Sequence, residues 1–104
     1  MIITTTENIP NREITDILGI ARGSTVRARN LGRDIFAVFK NVVGGEIEEY
    51  TKLQADAREH ALERMIADAI NLNAVAVINL RFSTSLIMQG ASEMLAYGTA
   101  VKLT

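Results

Sequence analysis

The residues able to do chemistry in this chain are few. Arg22, Arg27, Arg29 and Arg33 crowd one stretch, and the glutamates Glu46, Glu48 and Glu49 follow the glycine pair Gly44-Gly45 in VVGGEIEEY. His60 is the only histidine, Met65, Met88 and Met94 are the internal methionines, and cysteine is absent. Without cysteine there is no thiolate nucleophile, no disulfide and no thiolate metal site. Soft heavy metals take thiolate or clustered imidazole, which a lone histidine does not supply. Methionines among apolar residues read as core filler. A serine or threonine nucleophile needs an adjacent base, and His60 falls among Asp56, Glu59 and Glu63 on a charged helical face. The sequence assigns no catalytic residue and no metal ligand, and it calls for no cofactor.

The glycine pair is the one place that resembles a ligand-cradling loop. A phosphate-binding loop carries lysine and serine or threonine directly after its last glycine. Here Glu46 and Ile47 stand there, and three glutamates in the next turn repel phosphate while favouring a helix N-terminus. Gly44 ends one helix in a left-handed conformation and Gly45 turns the chain into the next, so the pair is a hinge.

Four charged residues remain as candidate ligand or interface positions. Arg27 and Arg29 share a strand parity and form either a basic strip for an anion or a charged edge that discourages aggregation. Arg58 projects within about 20° of Ile47 on a helical wheel, inside the apolar arc. Glu93 shares strand parity with Leu95, Val101 and Leu103. Arg58 either lays its stem along apolar surface with its head in water, or pairs with a carboxylate within or between subunits. Glu93 is the first-named partner and Glu46 the second.

Elements must position these residues, and composition bounds them. The chain has 104 residues, 48% hydrophobic and 22% charged, with a net charge of -1. That predicts one globular domain over 1–104, without the global field that recruits nucleic acid or an anionic membrane. No basic, apolar leader and no run of about 20 apolar residues is present, so the expected location is the cytoplasm.

Residues 1–5 predict a strand, and Asn8-Ile9-Pro10-Asn11 a turn. A second strand is expected over 13–28, with Ile14, Leu18, Ile20 and Val26 on one parity. Gly19 and Gly23 within it imply a bulge or a close backbone approach. Residues 30–32 close the strand. Asp34 caps a first helix carrying Ile35, Val38, Phe39 and Val42 at helical spacing. A second helix over 46–72 aligns Ile47, Ala57, Ala61, Leu62, Met65 and Ala69, with Asn73 as its left-handed cap. Strands over 74–84 and 92–103 follow, joined by a loop through residues 89–90. Both strands carry apolar residues on two faces, more than two helices can cover, and large exposed apolar patches are uncommon on monomers. Oligomerisation follows.

The segments VVGGEIEEYT (42–51), GSTVRARNLGRDI (23–35) and AYGTAVKL (96–103), with ITTTENIP (3–10) and AREHALERMI (57–66), resemble the YbjQ-like family, microbial proteins that carry a heavy-metal-binding label. The resemblance spans essentially the whole chain. It implies an α+β, dodecin-like subunit, a small sheet of about four strands packed with two helices, assembled into a propeller-like ring, a pentamer. It carries over no catalytic residues. Asn11, Val38 and Asn73 stand where the family pattern commonly has glycine, and asparagine tolerates the left-handed region. The expected function is a non-enzymatic ring that binds a small ligand or partner at subunit interfaces or in a central channel. A hard-metal-binding module, and an enzyme whose active site is shared between subunits, are the alternatives.

Overall fold

The computed structural model describes residues 1–28, 48–88 and 91–104, with side chains described there except at 27–28 and 48–53. The first helix expected after Asp34, the strand end at 30–32, the hinge at 44–45, Ile47, Arg29, Glu46 and the loop at 89–90 lie outside the described residues.

The described elements are β1 (Ile2–Ile3), β2 (Ile14–Ala28), α1 (Glu48–Asn71), β3 (Ala76–Met88) and β4 (Ala91–Leu103). They form a four-stranded sheet in the order β1-β3-β4-β2. β1 pairs parallel to β3, and β4 lies between β3 and β2, antiparallel to both. With α1 against one face, this is an α+β fold. The four expected strands are present; β3 runs four residues past the expected end at Thr84, to Met88.

Glycine and asparagine punctuate the fold where backbone geometry demands it. Gly19 has φ +132°, and the β2–β4 register slips between Ile17 and Gly19. That slip and an earlier one between Ile14 and Asp16 correct the single-parity reading of β2. Leu18 packs with the helix-side core, whereas Ile14 joins a small cluster with Ala76, Ile78 and Val101. A one-residue slip moves every following side chain to the other face. Asn11 and Asn73 have φ 62° and 64°, the left-handed conformation expected of them. At Asn73 its N–H donates to Ile70 O (2.9 Å) while Ala74 N–H donates to Ala69 O (3.0 Å). This paired return closes the helix C-terminus in a Schellman motif. Asn79 (φ 53°) marks a further bulge in β3, where the register with β4 slips between Ile78 and Arg81.

The main core lies between α1 and the sheet. Ala61, Met65 and Ala69 are fully buried, as are Ala21, Val77, Ala96 and Ala100 beneath them. Small residues on both sides let the backbones approach closely. A Cβ on Gly23 would collide with Met65 N and lie 2.5 Å from Ala61 O, so helix backbone rests directly on strand backbone. The buried series Ala57, Ala61, Met65, Ala69 follows an i, i+4 ridge, which drifts about 40° around the helix per step. Near Ala57 the contact arc therefore centres on that residue, and Arg58, about 100° further round, is exposed. The fixed apolar arc drawn through Ile47 placed Arg58 inside; the drifting contact line places it outside.

Candidate interaction face

Surfaces left over by this packing carry the remaining functional residues. The outer edge of β2 is closed by α1. Asp68 Oδ2 accepts the Arg22 backbone N–H at 3.0 Å, and Arg64 Nη1 donates to Ser24 O at 2.6 Å. Asp68 and Arg64 stand one turn apart on α1, so a single helical ridge satisfies an edge donor and an edge acceptor. An unsatisfied edge invites pairing with other chains, and here the helix blocks it locally.

The opposite edge is barely closed. β1 has only two residues. Beyond it, Thr6 O and Thr4 O accept the N–H groups of Asn79 and Leu80, both at 3.0 Å. No described strand flanks β3 on that side past Leu80. Residues 81–88 are all exposed, including Phe82, Leu86 (78%), Ile87 and Met88.

The sheet face away from α1 is open over much of its length. Met94 and Ala96 face the helix-side core, so their neighbours in β4 point the other way. Register then aligns rows across three strands: Ile20–Thr99–Ile78, Arg22–Tyr97–Arg81, Ser24–Leu95–Ser83 and Val26–Glu93–Ser85. Ile20 (67% exposed) and Val26 are uncovered, as is Ile17, which the slip between Ile14 and Asp16 sets on this face opposite Val101. Tyr97 is exposed between its two arginines. Arg81 is anchored, since its Nη1 donates to Leu80 O (2.7 Å) and Thr5 O (3.0 Å).

The four residues singled out from sequence fall in different places. Glu93 is half-buried on the open face between Val26 and Ser85. Arg58 is exposed on α1, which covers the other face. Arg27 pairs with Ser92 in the β2–β4 ladder, with its side chain outside the described residues, as Arg29 is entirely. Sequence reasoning missed the Arg22–Tyr97–Arg81 row and the Asp68–Arg64 clamp. The spacing of Arg64 and Asp68 was a visible signal for the second. The first depends on strand register, which residue types alone do not specify.

Chemically, the open face offers apolar area, two guanidinium groups and a phenol ring, with no described cluster of three His, Cys, Asp or Glu side chains. Among the described residues, no helix is long and apolar enough to cross a membrane.

Comparison with known proteins agrees with this architecture. A family model described as "Putative heavy-metal-binding" matches residues 1–104. A UPF0145 protein from Archaeoglobus fulgidus is 60% identical over 103 residues, covering 99% of this chain and 95% of that protein. A UPF0145 protein from Thermosipho africanus is 57% identical, again over 99% of this chain and 95% of the relative. A crystal structure of a protein of unknown function from Pediococcus pentosaceus, placed in the DUF74 family, superposes with TM-score 0.68 at 15% identity. It covers 100% of this chain and 98% of that one, a likeness of fold. The heavy-metal description does not fit the donors this chain carries: it has no cysteine and one histidine, so a soft metal would lack its preferred ligands. By sequence over residues 1–104, the chain belongs to the YbjQ-like (UPF0145) family.

Proposed function

We propose that this protein is the subunit of a cytoplasmic homo-oligomeric ring, a pentamer, that binds a small ligand or partner at its subunit interfaces without catalysing a reaction. The observation that carries the reading is a sheet larger than the described residues cover. Ile17 and Ile20 on the open face and Leu86, Ile87 and Met88 on the far part of β3 are each more than half exposed. The chain is also extended, with principal extents of 55 × 23 × 16 Å and a radius of gyration of 17.3 Å. A compact chain of this length has a radius near 13 Å. A long sheet with one covered face is half of a core, and other copies of the same chain supply the rest.

The two uncovered surfaces differ. One is a sheet face and the other a strand end with no described strand along its outer edge. Contacts that join unlike patches are heterologous, and they close into rings when the rotation permits. Tyrosine and arginine are the residue types enriched at interfaces, and Tyr97, Arg22 and Arg81 stand among the apolar residues of the open face. Light scattering on the purified protein, with Ile20→Lys and Leu86→Lys beside it, tests the reading. The parent assembles and each lysine variant loses mass; a monomeric parent would remove the proposal.

A further inference from the structure

We propose that Arg22, Tyr97 and Arg81 form a binding row for a phosphate-bearing anion. This deepens the interface reading above by naming the ligand class, and it rests on that reading for the partial enclosure that strengthens the site.

Register carries the first step. Arg22 and Arg81 both pair with Tyr97, one from each neighbouring strand, on the sheet face away from α1. Adjacent strands lie about 4.8 Å apart, so the two arginine backbones are about 10 Å apart with the phenol between them. From that spacing two guanidinium groups can reach one oxyanion above the ring, each by paired N–H donors. Arg81 Nη1 is held by Leu80 O and Thr5 O on the β1 side of β3, away from Tyr97. Among the described residues its Nε and Nη2 have no partner, and these are the donors that would serve an incoming anion.

Charge supplies the second step. None of the same-face neighbours of the row is acidic: Ile20 and Ser24 along β2, Thr99 and Leu95 along β4, and Ser83 along β3. Glu93 lies four residues from Tyr97 along β4, about 13 Å away. Asp68, the carboxylate nearest Arg22 in the hydrogen-bond network, is occupied by the Arg22 backbone N–H on the helix side. Among the described residues, the row thus holds two positive charges with no acidic neighbour on its own sheet face. When a neighbouring copy covers part of the face, those charges need an anion, and phosphate matches their geometry. Ser24 and Ser83 hydroxyls in the next row add donors, and the Tyr97 ring favours an anion that carries an aromatic group.

Isothermal titration of the assembled protein at low ionic strength, with inorganic phosphate in one arm and phenyl phosphate in the other, tests this. Light scattering is run on the same samples. Saturable binding of one anion per chain is expected, weakened at least tenfold by Arg22→Met and by Arg81→Met, and unaltered by Lys102→Met. Tyr97→Leu weakens phenyl phosphate at least fivefold and inorganic phosphate little, which separates an aromatic phosphate ester from the free ion. An assembled ring that binds neither probe, or binds both equally well in the arginine variants, overturns the inference and leaves the ring standing. Arginine variants that fall apart when the parent ignores phosphate also overturn it, because the neighbouring copy's carboxylates are then the partners. A monomeric parent that still binds phosphate through these arginines supports the row and removes the ring.

Discussion

The start and the far part of β3 are built from similar side chains and meet opposite fates. Ala76, Val77 and Ile78 are buried, whereas every residue from 81 to 88 is exposed, with Leu86, Ile87 and Met88 as apolar as anything in the core. The difference lies in what flanks them. The start of β3 has β1 on one side, β4 on the other and the 9–14 segment beneath through Ile9 and Ile14. The far part has β4 alone as a described neighbour strand. Apolar composition makes burial favourable, but the chain's own elements decide how much of it a single copy achieves.

If the start of β3 and the helix seam are the self-sufficient part, substitutions there should damage the single chain. Gly23→Val is expected to have the largest effect, because its side chain would enter the backbone of α1 at Ala61 and Met65. Overpacking of this kind costs about 3 kcal/mol or more, read as a fall in the denaturant midpoint. Met65→Ala empties a fully buried site and should cost about 2–5 kcal/mol by the same measurement. Equal stability of either variant with the parent would mean the helix does not sit on the sheet as described.

The far part should respond in the opposite way. Leu86 is 78% exposed on the single chain, so Leu86→Lys should keep the native circular dichroism while light scattering reports a smaller particle. A variant that stays fully assembled would show that residues 81–88 face solvent in the oligomer too.

The edge clamp predicts a smaller effect. Asp68→Ala removes the acceptor for Arg22 N–H at a partly exposed edge and should cost about 1 kcal/mol. Arg58→Met should be nearly neutral, within about 0.5 kcal/mol, as for other exposed positions. A loss of about 3 kcal/mol or more would instead reveal a paired charge buried between subunits, with Glu93 or Glu46 as its partner. Calorimetric titration with zinc, cadmium or copper should give no tight, stoichiometric isotherm, because the chain lacks thiolates and has one histidine.

Much of this fold was legible because local rules and tertiary structure agree. Asn11 and Asn73 adopt the left-handed conformation, Gly19 sits at a bulge and Gly23 at a close approach, each a consequence of one residue's own stereochemistry. The buried ridge of α1 followed from i, i+4 spacing. What escaped depended on relations between distant segments. The slip between Ile14 and Asp16 puts Ile14 and Leu18 in different clusters, and alternation reveals neither it nor the slips at Gly19 and Asn79. Arg58 was placed by a straight wheel, whereas the contact line drifts around the helix. The Arg22–Tyr97–Arg81 row joins residues separated by most of the chain, and only the register brings them together. The two-faced apolar strands suggested an oligomer, but which residues would form its interface carried no further signal than being apolar or charged.

The central claim is that the open sheet face and the far part of β3 are covered by other copies of this chain. Native mass measurement at micromolar concentration tests it most directly. The account predicts a single assembly of about five times the 11.4 kDa chain mass, reduced by Ile20→Lys and by Leu86→Lys. A parent protein that runs at 11.4 kDa would contradict it.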